Sequence, residues 1–322
     1  MKKSLIALAV LAATGAASAQ SSVTLYGIVD VWVGSQETGL NADSVTKVGS
    51  GGFSSSRVGF QGSEDLGGGL NAIFKLEGNF AADTGVGSST GGGFNFNRQA
   101  YLGLSGGFGT VTIGKVWTAM DDVLFNNDYA FDSAFFAGNI LQVNANYEGN
   151  PGNTIKYANS FGAFSGAVSY SLDEDNAVKE DIVDFSIGYG AGPITANFAY
   201  QLQNGATDEK LTAFNGSYDF GVVKLLGGLG QYKVGASKST DYHLGLDVPL
   251  SSAMTLSGGY SASTDNAAAG DNERSGFGIA LNYALSKRTN AYVGYTQDKT
   301  ENAAGAKTDE NSLMAVGIRH TF

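Results

Sequence analysis

The chain contains no cysteine and only two histidines, His243 and His320. Without thiols there is neither a disulfide framework nor a thiolate metal site. Two imidazoles leave little for acid–base or nucleophilic catalysis. Proline is held to 3 residues of 322, which suits strands that need every amide donor in a ladder. Charged residues make up only 15%, and basic ones are the scarcer kind, 19 Lys and Arg against 30 Asp and Glu, for a formal net charge of −11. Such an acidic chain argues against nucleic-acid binding, which depends on neutralising phosphates. Long apolar runs are missing too, so no segment offers the ~20 residues that a transmembrane helix requires. Yet hydrophobic residues amount to 43%. They are dispersed as alternation, which leaves a strand-built membrane protein open.

The amino terminus is a separate matter. Lys2 and Lys3 form a basic start, Leu5 to Leu11 an apolar stretch, and Ala17-Ser18-Ala19 a small-residue cleavage site. This pattern predicts an export signal over residues 1–19, removed from a single domain spanning 20–322. Losing the two lysines makes the chain more acidic still.

From Ser22 onward the sequence alternates. Val23, Leu25, Gly27, Val29, Val31 and Val33 fall on one face, with Thr24, Tyr26, Asp30 and Trp32 on the other. A period of two with one apolar face is a half-buried strand. In a soluble sandwich the apolar face would point inward; in a membrane barrel it faces lipid and the polar face lines water. The pattern recurs at 57–62, 70–80, 98–105, 110–115 and 154–160, and then in ten further segments ending at 311–322. The total is ~16, an even number as bacterial single-chain barrels show. Short turns alternate with longer polar loops, as expected for periplasmic turns and external loops. Gly103-Leu-Ser105-Gly-Gly107 matches a nucleophile elbow by letter, but that motif needs a strand-turn-helix setting and His and Asp partners. No P-loop, H-E-x-x-H or complete EF-hand pattern is present, and no cofactor is expected.

One connection, about 116–153, is far longer than its neighbours. Long segments of this kind are either functional or disordered. Leu124, Phe125, Tyr129, Phe131, Phe135 and Phe136 argue against disorder, because they need a surface to pack on. The segment also carries Asp121, Asp122, Asp128 and Asp132 and no basic residue. The expectation is an all-β, 16-stranded antiparallel transmembrane barrel with this loop, the third external one, folded inward to narrow a channel. Its aromatics are expected to pack the loop against the wall rather than to form a sugar slide.

Four stretches, SSVTLYGIVD, SRVGFQGSEDLGGGLNAIFKLE, RQAYLGLSGGFGTVTIGK and the ending VGIRHTF, resemble the general diffusion porins of Gram-negative bacteria, the beta-proteobacterial branch in particular. The likeness runs along nearly the whole mature chain. It implies a homotrimer of 16-stranded barrels in the outer membrane whose third loop enters each pore. It also implies a terminal strand, ending in Phe322, that is read by the barrel-insertion machinery. Met314, Val316, Ile318 and His320 share the face of Phe322, in keeping with that role.

Alternation turns Arg57, Lys75 and Lys156 toward the lumen. Arg98 shares parity with Ala100, Leu102 and Leu104. Since a lipid-facing arginine near midplane costs ~2–4 kcal/mol, this segment is expected to turn Arg98, Ala100 and Leu102 inward and Tyr101 toward lipid. The resemblance adds that the arginine of RQAY belongs to a basic wall, and that Lys75, Lys115 and Lys156 stand where relatives often carry arginine. A basic wall of Arg57, Lys75, Arg98 and Lys156 opposed by Asp121, Asp122, Asp128 and Asp132 sets up a transverse field. Two of the four acids are expected to line the pore, the others to cap turns. The cluster Asp173, Glu174, Asp175, Glu180 and Asp181 reads as a solvated external loop, with divalent bridging to lipopolysaccharide as the alternative. The functional expectation is passive diffusion of small hydrophilic solutes and ions, the sign of ion preference left open. The alternatives are a solute-specific channel, or a plugged barrel acting as an adhesin or anchor.

Overall fold

The computed structural model describes residues 22–87, 93–173, 181–266 and 271–322. The signal over 1–19 and three acids of the 173–181 cluster, Glu174, Asp175 and Glu180, lie outside the described residues. One antiparallel sheet holds every strand. In chain order these are β1 (Ser22–Thr38), β2 (Val45–Ser50), β3 (Arg57–Gly67), β4 (Leu70–Asn79), β5 (Gln99–Gly106), β6 (Gly109–Lys115), β7 (Thr154–Phe161), β8 (Phe164–Ser171) and β9 (Ile182–Ala191). There follow β10 (Ile194–Gln203), β11 (Glu209–Asp219), β12 (Lys224–Val234), β13 (Ser237–Ser251), β14 (Met254–Asn266), β15 (Glu273–Ala284), β16 (Thr289–Glu301) and β17 (Lys307–Thr321). Each pairs with its sequence neighbour, except that β2 and β3 both pair with β1 and not with each other; β17 returns to β1 over Ile28–Thr38 against Asn311–Thr321. Gly27 and Phe322 complete that seam by exchanging two backbone hydrogen bonds of 3.1 Å. Closure removes the two terminal edges that an open sheet would present to the bilayer.

Strands β2 and β3 share one place in the wall. β2 pairs with Val31–Gln36 of β1 and β3 with Ser22–Ile28, so the two halves form a single stave interrupted by residues 51–56. The result is a closed barrel of 16 strands. The sequence reading counted the same number by taking 57–62 as the second strand; it missed β2 and ended β1 at Val33 instead of Thr38. The stretch Gly49-Ser-Gly-Gly-Phe-Ser-Ser-Ser56 looks like flexible punctuation, and nothing local marks it as a kink inside one stave.

The two faces separate as the alternation requires. Val23, Leu25, Phe60, Ile113, Val168, Phe198, Phe214, Leu244 and Ile279 are exposed, while their polar neighbours Asp30, Glu77, Thr112, Ser169, Asp184, Asn215 and Asp241 are buried. An inside-out distribution of this kind suits a hydrocarbon surround. Among the described residues no helix is long and apolar enough to cross a membrane.

One strand reverses the expectation. In β5, Leu102 is 64% and Leu104 44% exposed, while Gln99 is buried. Tyr101 lies opposite Lys75, as Gln99 lies opposite Glu77, so Tyr101 faces the polar side and Leu102 is no platform for the loop. Arg98 reaches the lumen without flipping the strand because it precedes β5, where parity no longer binds it.

Candidate pore constriction

The connection over residues 116–153 lies between β6 and β7 and contains three short helical turns: α1 (Asp121–Leu124), a 3-10 turn (Ala137–Ile140) and α2 (Gln142–Asn146). Too short to be stable alone, they are held by the polar face of the wall. Backbone N–H groups of the connection donate to wall acceptors in sequence. Ala119 donates to Ser169 Oγ at 2.9 Å, Met120 to Asp184 Oδ1 at 2.9 Å, Ala130 to Ser257 Oγ at 2.7 Å, Val143 to Asp241 Oδ2 at 2.7 Å and Glu148 to Gln201 Oε1 at 2.8 Å. Its carbonyls are met in return: Asn215 Nδ2 donates to Val123 O and Leu124 O, Gln201 to Glu148 O and Gln203 to Asn146 O. Such pairing answers the demand that buried backbone groups find partners.

Packing completes the attachment. Met120, Val123, Leu124 and Val143 bury against Ala199, Leu211 and Ala213, and Tyr129, Phe135, Phe136 and Ile140 against Leu226, Ala280, Tyr292 and Leu313. The loop aromatics therefore face the wall, as expected. Gly278 and Gly294 make room at the tip: a Cβ on Gly278 would stand 1.7 Å from Phe135 O, and one on Gly294 2.5 Å from the Phe135 ring. The tip carries three consecutive left-handed residues, Ala130, Phe131 and Asp132, with φ of 51°, 65° and 47°. A non-glycine left-handed conformation costs roughly 1–2 kcal/mol per residue, so these contacts hold a strained turn.

The interruption between β2 and β3 meets that tip. Ala134 N–H donates to Gly52 O at 2.9 Å, and Phe53 stacks on Tyr292 at 4.1 Å and tilts against Phe131 at 5.3 Å. Asp30 staples this kink. Its carboxylate accepts N–H bonds from Gly52, Phe53 and Ser54 at 3.1, 2.8 and 2.8 Å and the Tyr292 hydroxyl at 2.5 Å.

Opposite the attached segment, basic side chains line β17 through β7. Arg98 Nε donates to Glu77 Oε1 at 2.6 Å, and its guanidinium lies 5.0 Å from the Trp117 ring. Lys75 stands 3.6 Å from Glu77 and 5.3 Å from the Tyr26 ring, and Tyr26 donates to Glu77 at 2.7 Å. Arg57 lies within electrostatic reach of Arg98, Glu77 and Arg319. Lys156 pairs with Asp122 at 2.5 Å and donates to Trp117 O at 2.8 Å. Lys115 turns to Asn150 O. The four predicted bases thus fall on one side of the lumen.

The four acids do not act alike. Asp122 faces Lys156. Asp121 accepts from the Tyr147 hydroxyl at 2.8 Å; burial pushes its carboxyl up to about 6, with the Tyr147 bond opposing. Asp132 is solvent-exposed, yet the protein packed around it, helped by the charge of Asp121, pushes its carboxyl up to about 7. Asp128 points away from the lumen: its side chain is 1% exposed and lies 3.4 Å from His243 Nε2, and burial raises its carboxyl well above the usual range.

Sequence reasoning did not single out Glu77, Arg319, Asp30 or Trp117. Glu77 shares parity with Lys75 and Arg319 opposes that of Ile318, so alternation could have found both; it placed Asp30 on the polar face but not its role at the kink, and Trp117 gave no local signal. Outside the site, Asp181 accepts from the Tyr170 hydroxyl and from Asp173 N–H. Ser105 of the elbow-like motif sits at the end of β5 in a hairpin.

A family model for Gram-negative porins matches residues 5–303. The chain belongs to the Gram-negative porin family. Outer membrane porin protein 32 of Delftia acidovorans is 36% identical to this porin, with all of both chains covered. An outer membrane porin protein of Bordetella pertussis is 30% identical, again with full coverage. Among solved structures, an anion-selective porin from Comamonas acidovorans superposes with a TM-score of 0.81 at 29% identity, covering 94% of this chain and 100% of the other. Salmonella typhi OmpF, at 19% identity and a TM-score of 0.73, shares the fold.

Proposed function

We propose that this porin is a passive outer-membrane channel for small hydrophilic solutes and ions, narrowed by the segment over 116–153 and weakly selective for anions. One observation carries the sign of that preference. Arg57, Arg98, Arg319, Lys75 and Lys156 gather on one side of the lumen, with Glu77 shared among two of them and Asp122 engaged with a third. Of the remaining loop acids, Glu148 lies within electrostatic reach of Lys115, Asp128 is turned away, and Asp121 and Asp132 hold their protons more tightly than free carboxylates. A positive excess in a narrow, low-dielectric passage raises the local anion concentration. The likeness to a porin described as anion-selective points the same way.

The test is the reversal potential of the purified protein in a planar bilayer under a salt gradient. Anion preference is expected, and a cation-directed potential overturns it. The same recording separates the rivals: a plugged anchor gives no open steps, and a solute-specific channel gives current that one sugar or acid blocks saturably.

The functional unit is a homotrimer, checked by cross-linking of the purified protein. Phe322 closes the seam through its backbone and exposes its ring on the apolar outer face, where the insertion machinery would read it. Deleting Phe322 is expected to lower the yield of assembled porin by about tenfold, since both hydrogen bonds and the terminal ring are lost; normal yield on unheated gels would refute the role.

A further inference from the structure

Two arginines inside this barrel each stand beside an acid, and they hold it differently. Arg274 of β15 grips Asp265 with both ends of its fork, Nη1 to Oδ1 at 2.7 Å and Nη2 to Oδ2 at 2.8 Å. Arg98 reaches Glu77 through Nε alone, at 2.6 Å. Their side chains are 16% and 17% exposed, so burial of the cation does not explain the contrast. A carboxylate commonly takes a guanidinium by two parallel N–H bonds. Glu77 Oε2 accepts the Tyr26 hydroxyl at 2.7 Å, but such a bond does not block a fork: Asp265 Oδ1 accepts Ser239 Oγ at 2.7 Å as well as Arg274.

The neighbour that differs is an aromatic ring. The Arg98 guanidinium lies 5.0 Å from the centre of the Trp117 ring, whereas among the described residues no ring lies in such reach of Arg274. Indole is the strongest aromatic partner for a cation, and a planar guanidinium stacks on it. The ring is itself fixed. With its amide oxygen turned toward them, Gln99 accepts from Trp117 Nε1 and from Lys75 Nζ, each at 3.0 Å. Gln99 is buried and lies opposite Glu77 in the ladder. The carbonyl of Trp117 accepts from Lys156 Nζ at 2.8 Å. One residue thus touches Arg98 and Lys156 directly and Lys75 through Gln99.

We propose that Trp117 is a positioning residue that sets ion preference: its ring keeps the Arg98 fork from closing on Glu77, so that the terminal nitrogens stay available to anions in the lumen. This deepens the anion-selective reading above and rests on it. Without the ring, Arg98 would turn its fork onto Glu77 as Arg274 does onto Asp265, and a charge that serves passing solutes would be spent inside the wall.

The test is the reversal potential of the purified porin in a planar bilayer under a potassium chloride gradient, read on Trp117 variants that leave the formal charge unchanged. Trp117→Leu should lower the anion-to-cation permeability ratio about threefold. Trp117→Phe keeps a ring without the indole N–H and should retain most of the wild-type ratio. It also guards against a leucine variant that does not assemble, since a phenylalanine ratio far below wild type would count against the ring. Because the effect runs through Arg98 and Glu77, Trp117→Leu should add no change in a Glu77→Gln background, whereas a merely structural role would shift both backgrounds alike. An unchanged ratio in Trp117→Leu, or an equal fall in the Glu77→Gln background, overturns the proposal. So does a fall in Tyr26→Phe without one in Trp117→Leu, which would hand the role to the Tyr26 hydroxyl. A wild type that prefers cations overturns the anion-selective reading instead, and the shift between Trp117 variants still reports whether the ring holds Arg98.

Discussion

The inner wall of this porin divides into two arcs of opposite character. From β8 to β16 the wall offers acceptors and small polar groups, Ser169, Asp184, Gln201, Asn215, Asp241 and Ser257, and the segment over 116–153 lies against them. From β17 through β1 and on to β7 it offers Arg319, Arg57, Lys75, Arg98 and Lys156, and only the ends and tip of that segment touch it. The difference follows from what each arc must satisfy. A loop held against a wall brings backbone N–H groups that need acceptors, and a lysine there would supply none. A wall left open to water can carry cations at little desolvation cost and use them on passing solutes. Docking a loop and facing water thus call for different side chains, and alternation along strands lets one sheet carry both.

The largest effect comes from disrupting the docking arc. Gly278→Val would force a side chain into Phe135 O, and overpacking of this kind costs ~1–3 kcal/mol or more. The tip should lift, and single-channel conductance should rise by about half or more, since pore area sets flow. Unchanged conductance would mean that the segment does not narrow the pore.

Next in size is the bare arc. Arg57→Ser combined with Arg98→Ser should lower the anion-to-cation permeability ratio severalfold, read from reversal potentials, whereas Asn215→Ser on the docking arc should leave it near wild type. If both substitutions behave alike, charge is not segregated as described.

Where the arcs meet, Asp30→Asn should cost about 1–3 kcal/mol by leaving buried N–H groups without their charged acceptor. A fall of several degrees in the thermal unfolding midpoint is expected, with β2–β3 protection lost first in hydrogen exchange. Equal stability would show that the kink between them needs no staple.

The smallest effect is pH dependence. Carboxyls at about 6 for Asp121 and about 7 for Asp132 are charged above those values and neutral below them. Lowering pH from about 8 to about 5 therefore removes negative charge from the loop while arginine and lysine stay protonated. Anion preference should rise modestly across that window, and Asp132→Asn should flatten the upper part of the curve. A falling preference would reverse the roles given to the two acids.

Much of this was legible without coordinates. Val23, Leu25 and Phe60 outside with Asp30 and Gln61 opposed follow from a period of two, and so do the facings of Lys75 and Lys156. The bounds of the long connection, 116–153, were readable because strand patterns stop and restart there. Tyr101 and Leu102 were misassigned because Arg98 was counted into a strand that begins one residue later, and a one-residue slip exchanges every face. Asp128 looked like its acidic neighbours in the sequence, but its environment is His243, 115 positions away in the chain and adjacent only in space.

Local chemistry by itself determined the alternating strands, their number, the acidic and aromatic connection and the lack of any thiol site, because each depends on near neighbours in the chain. Only the closed sheet decided which bases gather, which acids keep a lumen position, and that a kink at 51–56 meets the loop tip. Those outcomes depend on register and closure, which bring Asp30, Tyr292 and Phe53 together from opposite ends of the sequence.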